Sequence, residues 1–106
     1  IAVPSLPPSS FTLAASTSTS IIASWQLPPE DSRNGIITGY KLFYKKKGSL
    51  GPVSMQPING QATHSQEVTG LDKYTEYEFQ ILASTSVGDG PKSTVVYEKT
   101  KEAGKK

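Results

Sequence analysis

The chain has 106 residues and a mass of 11.4 kDa, the size of one domain and too small to hold a second. It contains no Cys, which excludes a disulfide framework, a thiol nucleophile and a cysteine-based metal site, and no apolar run approaches the ~18 residues of a membrane span. The net charge of +2 sits at the end of the chain: residues 99–106 carry four lysines against Glu102, which leaves residues 1–98 at −1 and argues against a nucleic-acid surface on the body.

The start, Ile1-Ala2-Val3-Pro4, has neither the charged nor the apolar stretch of a signal peptide. The sequence reads as one piece of a longer protein. Pro4, Pro7 and Pro8 predict an extended linker over residues 1–6. Phe11 and Leu13 then alternate with Thr12 and Ala14, a first short strand. Ser16 to Thr19 turn the chain. Ile21, Ala23 and Trp25 alternate with Ile22, Ser24 and Gln26, and the period of two places the first set on one face of a second strand. Pro28-Pro29 ends it, because proline cannot donate to a ladder.

Residues 30–35 are polar and predict a loop. Tyr40, Leu42 and Tyr44 alternate with Lys41, Phe43 and Lys45 in a third strand, and Lys46-Lys47-Gly48-Ser49 turns. Val53 and Met55 alternate with Ser54 and Gln56 in a fourth, expected to end at Pro57. Asn59-Gly60 is a turn signal. Gln66 and Val68 belong to a weak fifth strand, with Leu71 just beyond. The strongest alternation sets Tyr77, Phe79, Ile81 and Ala83 against Glu78, Gln80, Leu82 and Ser84, a sixth strand. A loop at 87–91 leads to a seventh over about 93–100, where Val95, Val96 and Tyr97 leave the inward face open. No segment has a period of 3.6. Seven short strands between turn signals predict an all-β, antiparallel sandwich.

Four features, in this order and spacing, resemble the fibronectin type III family over residues 7–100. They are Pro7-Pro8, then Trp25 and Pro28-Pro29; Asn34-Gly35-Ile36-Ile37-Thr38-Gly39-Tyr40; Gly70-Leu71 with Thr75 and Tyr77; and Ala83 followed by Gly88-Asp89-Gly90-Pro91. The departures are Lys73, where the family often has Pro, Thr85, where it often has Asn, and Gln66 at a usually apolar position. The resemblance implies an immunoglobulin-like sandwich with sheets A-B-E and C′-C-F-G in the family's lettering. These are the first, second and fifth strands, and the fourth, third, sixth and seventh. It implies a tyrosine corner at Tyr77, whose hydroxyl would bond the backbone a few residues upstream. It also implies a non-catalytic module that binds other proteins or spaces its neighbours, in the extracellular part of a plasma-membrane protein, monomeric when isolated; the alternatives are a spacer in an intracellular filament or muscle protein and an extracellular module attached to a receptor phosphatase or kinase. The lead into Tyr40 is most similar to neural receptors of immunoglobulin and fibronectin domains, such as neogenin and its netrin-receptor relatives. On this reading residues 101–106 are a C-terminal linker. The implied core is Trp25, Tyr40, Leu42, Tyr44, Val68, Leu71, Tyr77, Phe79, Ile81 and Ala83.

No catalytic set is visible, and no cofactor is expected. His64 is the only His and lacks companion ligands. Gly88-Asp89-Gly90 is a hairpin signal, without the strand-to-helix setting of a phosphate loop. Neither Asn34 nor Asn59 starts a glycosylation acceptor, and no Arg-Gly-Asp occurs. Two groups remain as partner-binding candidates. Lys41, Lys45, Lys46 and Lys47 would crown one strand and its turn, a small field suited to an acidic partner or, weakly, a sulfated glycan. With Tyr40, Leu42 and Tyr44 inward, Phe43, Leu82 and Tyr97 would form an exposed apolar stripe on the outer face of the larger sheet.

Overall fold

The computed structural model describes residues 1–102 of the chain. Seven strands form: β1 (Ser9–Thr17), β2 (Ser20–Gln26), β3 (Gly39–Lys46), β4 (Ser54–Asn59), β5 (Ser65–Val68), β6 (Glu76–Ser84) and β7 (Val96–Lys99). A single 3₁₀ turn, Glu30–Ser32, follows Pro28-Pro29. The strands make two antiparallel sheets, ordered β1-β2-β5 and β4-β3-β6-β7, the topology implied by the sequence. The tail expected over 101–106 lies, from residue 103 on, outside the described residues.

In β2, β3 and β6 the inward face is the one the alternation predicts. Ile21, Ala23 and Trp25 of β2 meet Tyr40 and Leu42 of β3 and Tyr77, Phe79, Ile81 and Ala83 of β6, all buried, with Val68 and Leu71. Tyr44 packs against this cluster but is only half-buried. It lies near the open end of the sheet and stacks on Phe79, ring centroids 5.5 Å apart. Ile37 and Ile58 complete the core from the loop before β3 and from β4. The rings of Trp25 and Tyr40 cross at 58° with centroids 5.4 Å apart, an arrangement worth ~0.5–1.5 kcal/mol beyond the area buried.

Two elements differ from the sequence reading. β4 does not stop at Pro57 but runs on to Asn59, with Pro57 opposite Lys41. It is an edge strand, so half of its N–H groups have no neighbour to bond, and proline is tolerated there. β7 is shorter than expected, four residues rather than about eight. The Ser93 hydroxyl accepts the Ile81 N–H (3.0 Å), and the Ser93 N–H donates to the Ile81 carbonyl (2.8 Å), so a side chain replaces the ladder there. Val96 pairs with Phe79 and Tyr97 with Glu78, which turns Tyr97 to the outer face.

The turn between β5 and β6 is pinned as the corner geometry requires. The backbone N–H of Asp72 donates to the Tyr77 hydroxyl at 2.8 Å, and Tyr77 is buried. Thr100 ties the same turn to the end of β7: its hydroxyl donates to the Asp72 carbonyl (2.7 Å) and accepts the Thr75 N–H (2.9 Å). Tyr77→Phe therefore orphans a part-buried donor, and is expected to lower unfolding free energy by about 1–2 kcal/mol in a denaturant titration. An unchanged midpoint would show that the bond carries no stability.

Candidate protein-contact face

The outer face of the larger sheet is built from the residues that alternate away from the core. Cross-strand register sets them in rows. Lys41 lies opposite Pro57 and Leu82; Phe43 opposite Met55 and Gln80; Lys45 opposite Glu78, which in turn faces Tyr97. The predicted apolar stripe is therefore not continuous. Gln80 stands in the row between Leu82 and Tyr97, and Glu78 separates Tyr97 from β3 within its own row.

Leu82 is not exposed, contrary to the sequence reading; it is buried, at 4%. The chain from Gly90 to Ser93 runs alongside, with N–H bonds from Gly90 to Ala83 and from Ser93 to Ile81. On the other flank Lys41 reaches across β6 to Asp89, 2.8 Å away. Phe43 is half-buried, with the Lys92 ammonium 4.2 Å above its ring. Tyr97 is exposed, and Lys47 lies 5.0 Å from its ring centre.

The apolar surface that does exist lies on the other side of Phe43. Its direct partner Met55 is 44% exposed and Val53 is 48% exposed. Leu50, at the tip of the turn between β3 and β4, is fully exposed. Sequence reasoning read the alternation of Val53 and Met55 but gave it no face. The register against β3 supplies it.

The lysine group is present but not free. Lys41 pairs with Asp89 and Lys46 with Asp72, while Lys47 lies 3.5 Å from Glu76. Lys45 donates to the Ser49 carbonyl at 2.8 Å. Asp89 is bonded by both Lys41 and the Ser84 hydroxyl, which hold its carboxyl below the usual value. The small stability this adds is present above the ordinary carboxylate pKa and fades as pH falls through the depressed one.

Within the core, burial raises the Tyr40 phenol above its ordinary value, opposed by the Trp25 indole and by Arg33. The Tyr40 hydroxyl donates to the Gln61 carbonyl at 3.0 Å. The Trp25 indole N–H is buried and closes no regular hydrogen bond.

Nothing in this face suggests small-molecule chemistry. The depression beside Phe43, Lys45, Val53, Glu78 and Gln80 has room for about 20 Å³, one water rather than a ligand. Two clefts of about 230 and 300 Å³ are open to the surface. The charged groups lining them, Lys41 with Asp89 and Lys45 with Lys46, are those already engaged above. His64 is exposed just before β5, and its carbonyl accepts the backbone N–H of Trp25. Among the described residues no three His, Cys, Asp or Glu side chains come together as a metal site.

The fold and its relatives agree. The FN1–FN3 domains of chicken CNTN1 superpose with a TM-score of 0.82 over 95% of this chain and 33% of that one, at 22% identity. Sidekick-1 of Gallus gallus is 43% identical over 94% of the chain, and sidekick-2 of Mus musculus 40% identical over 92%. Receptor-type tyrosine-protein phosphatase F of Bos taurus is 40% identical over 93%. The chain spans only 4–5% of the length of these relatives. They are cell-surface receptors, the broad class expected from the sequence. The model of the fibronectin type III domain matches residues 6–99, and with the two sheets, the Trp25 core and the Tyr77 corner in place, the chain belongs to the fibronectin type III family.

Proposed function

We propose that this domain is a non-catalytic protein-binding and spacer module in the extracellular part of a plasma-membrane adhesion receptor. The observation that carries the reading is the Phe43–Met55–Val53 surface. Met55 of β4 and Val53 just before it are exposed beside the half-buried Phe43 of β3, whose ring carries only the Lys92 ammonium. Contact surfaces of this kind draw their energy from a few aromatic and Met side chains. The sidekick relatives support an adhesion setting. The phosphatase relatives support a second setting, the same module carried by a receptor with a catalytic domain elsewhere in its chain.

A sulfated-glycan contact is less supported, because Lys41, Lys46 and Lys47 each face an acid within the domain. The test is a cell-adhesion assay on the full-length receptor carrying Phe43→Ser and Met55→Ser. Adhesion is expected to fall at least about fivefold, the equivalent of ~1 kcal/mol, with surface expression unchanged. Unchanged adhesion overturns the assignment of this face. Heparin retention at physiological salt that disappears on neutralising Lys45, Lys46 and Lys47 would move the function to the basic group.

A further inference from the structure

The chain holds two Asn-Gly pairs, Asn34-Gly35 and Asn59-Gly60. Such a pair carries a reaction of its own. The main-chain nitrogen of the glycine attacks the side-chain carbonyl carbon, Cγ, of the asparagine, and no glycine side chain blocks the approach. The new N–Cγ bond closes a succinimide ring and the Cγ–Nδ2 bond breaks. The glycine N–H proton leaves with Nδ2 as ammonia. Water then opens the ring at one carbonyl or the other, giving aspartate or isoaspartate. The reaction needs an asparagine open to water and a glycine N–H that is not held in a hydrogen bond.

Both asparagines are exposed, and the fold separates them. Asn59 is the last residue of β4 and pairs with Gly39, while the Gly60 N–H donates to the Thr38 carbonyl at 2.8 Å. Attack there requires that bond and the strand end to open first. Asn34 lies in the loop before β3, and among the described residues the Gly35 N–H donates no hydrogen bond. The fold also dictates this pair. Asn34 has φ +57°, a left-handed conformation that asparagine tolerates better than most residues. Gly35 has φ +150°, and a Cβ there would stand 3.0 Å from the Ile1 Cγ2, which excludes the bulkier residues that would slow the attack.

Asn34 is also a fastening. Residues 1–5, read from the sequence as a linker, are bonded into the domain. Asn34 Nδ2 donates to the Val3 carbonyl (3.0 Å), and the Ala2 N–H donates to the Asn34 carbonyl (2.8 Å). The Thr85 hydroxyl donates to the Ala2 carbonyl (2.7 Å). Beyond them Pro4 is buried and the Ser5 N–H donates to the Ser32 carbonyl (2.9 Å).

We infer that Asn34 is a self-modifying site, and that its conversion by the Gly35 nitrogen unfastens residues 1–3 from the loop before β3. A carboxylate has no proton to donate, so conversion sets a charged oxygen against the Val3 carbonyl. Isoaspartate goes further. Its main chain runs through Cβ and Cγ, and the carbonyl that held the Ala2 N–H becomes a free carboxylate. Pro4 and Ser5 keep their own hold. The result is a one-way loosening, set by time, at one end of the domain.

The experiment holds the freshly purified full-length protein at neutral pH and body temperature and follows both sites by peptide mapping with mass spectrometry. Asn34 is expected to convert at least about fivefold faster than Asn59, the factor that one main-chain hydrogen bond supplies. In denaturant the two sites should convert at equal rates, which assigns the difference to the fold. Asn34→Asp, made directly, should speed amide exchange at Ala2 at least about fivefold and leave Ser5 protected. Conversion of Asn59 as fast as Asn34, no conversion at Asn34 over weeks, or a difference that persists in denaturant overturns the site. Exchange at Ala2 unchanged by Asn34→Asp overturns the unfastening. The rate comparison uses wild-type protein only, so it decides the site even if Asn34→Asp folds poorly.

Discussion

Trp25→Ala is expected to lower the unfolding free energy by about 3–5 kcal/mol, a large part of the ~5–15 kcal/mol that holds a domain of this kind. Trp25 is 1% exposed near the end of β2, the middle strand of its sheet, and its ring crosses Tyr40. Deleting the indole removes its transfer energy and leaves a cavity that two hydrogen-bonded sheets cannot collapse around. At ~4–8 °C per kcal/mol for a domain near this size, the melting midpoint should fall by about 12 °C or more. Trp25 is the sole Trp, so far-ultraviolet circular dichroism must follow the transition. Trp25→Phe separates the two parts of the effect. The indole N–H closes no regular hydrogen bond and makes only a weak polar contact with the Tyr40 phenol, so phenylalanine should lose mainly volume, about 1–2 kcal/mol. A loss below about 1.5 kcal/mol for the alanine variant, with an unchanged denaturant slope, would mean that Trp25 is not central to the core.

The contrast between Trp25 and Leu82 shows what the sequence makes legible. Both lie in alternating strands, and period two assigns each a face correctly. Trp25 faces the other sheet, and so does every residue of its parity, so face and burial coincide. Leu82 faces outward and is nevertheless buried. Its cover comes from Lys41 reaching Asp89, 48 positions apart in the chain, and from the segment after Gly90. Alternation within one strand carries no information about such distant cover. The same reason hid the fastening of residues 1–5 to the rest of the domain. A proline-rich start reads as extended chain, which it is, but its fastening to Asn34 and Thr85 spans 31 and 83 positions. The lysines were legible as outward and crowded; their acids on other strands and turns were not. Pro57 was a sound local stop signal that an edge position overrode. Tyr77 was read correctly because the corner is short-range, with donor and acceptor only five residues apart.

A second large loss is expected where the backbone itself leaves no room. Gly39 opens β3 and is paired on both sides, with Asn59 of β4 and Ser84 of β6. A Cβ at Gly39 would stand 2.5 Å from the Ile58 carbonyl oxygen and 3.6 Å from the Asn59 Cα. The obstacle is main chain, so no rotamer change relieves it. Either β4 moves outward over Pro57–Asn59, or β3 moves and disturbs its pairing with β6. Both displace Ile58, a core side chain, and the Gly60 N–H bond to the Thr38 carbonyl (2.8 Å). Gly39→Ala should therefore cost about 2–3 kcal/mol, the upper part of the range for overpacking. Gly51→Ala is the matched control. A Cβ there meets only the Ser49 hydroxyl at 3.5 Å, and the change should fall within about 0.5 kcal/mol of wild type. Amide exchange locates the damage: protection should drop across β4 in the Gly39 variant while the β1-β2-β5 sheet keeps its own. Equal stability of the two variants would mean that β4 does not approach β3 this closely, and that the Phe43–Met55 row which the contact face depends on is looser than its register implies.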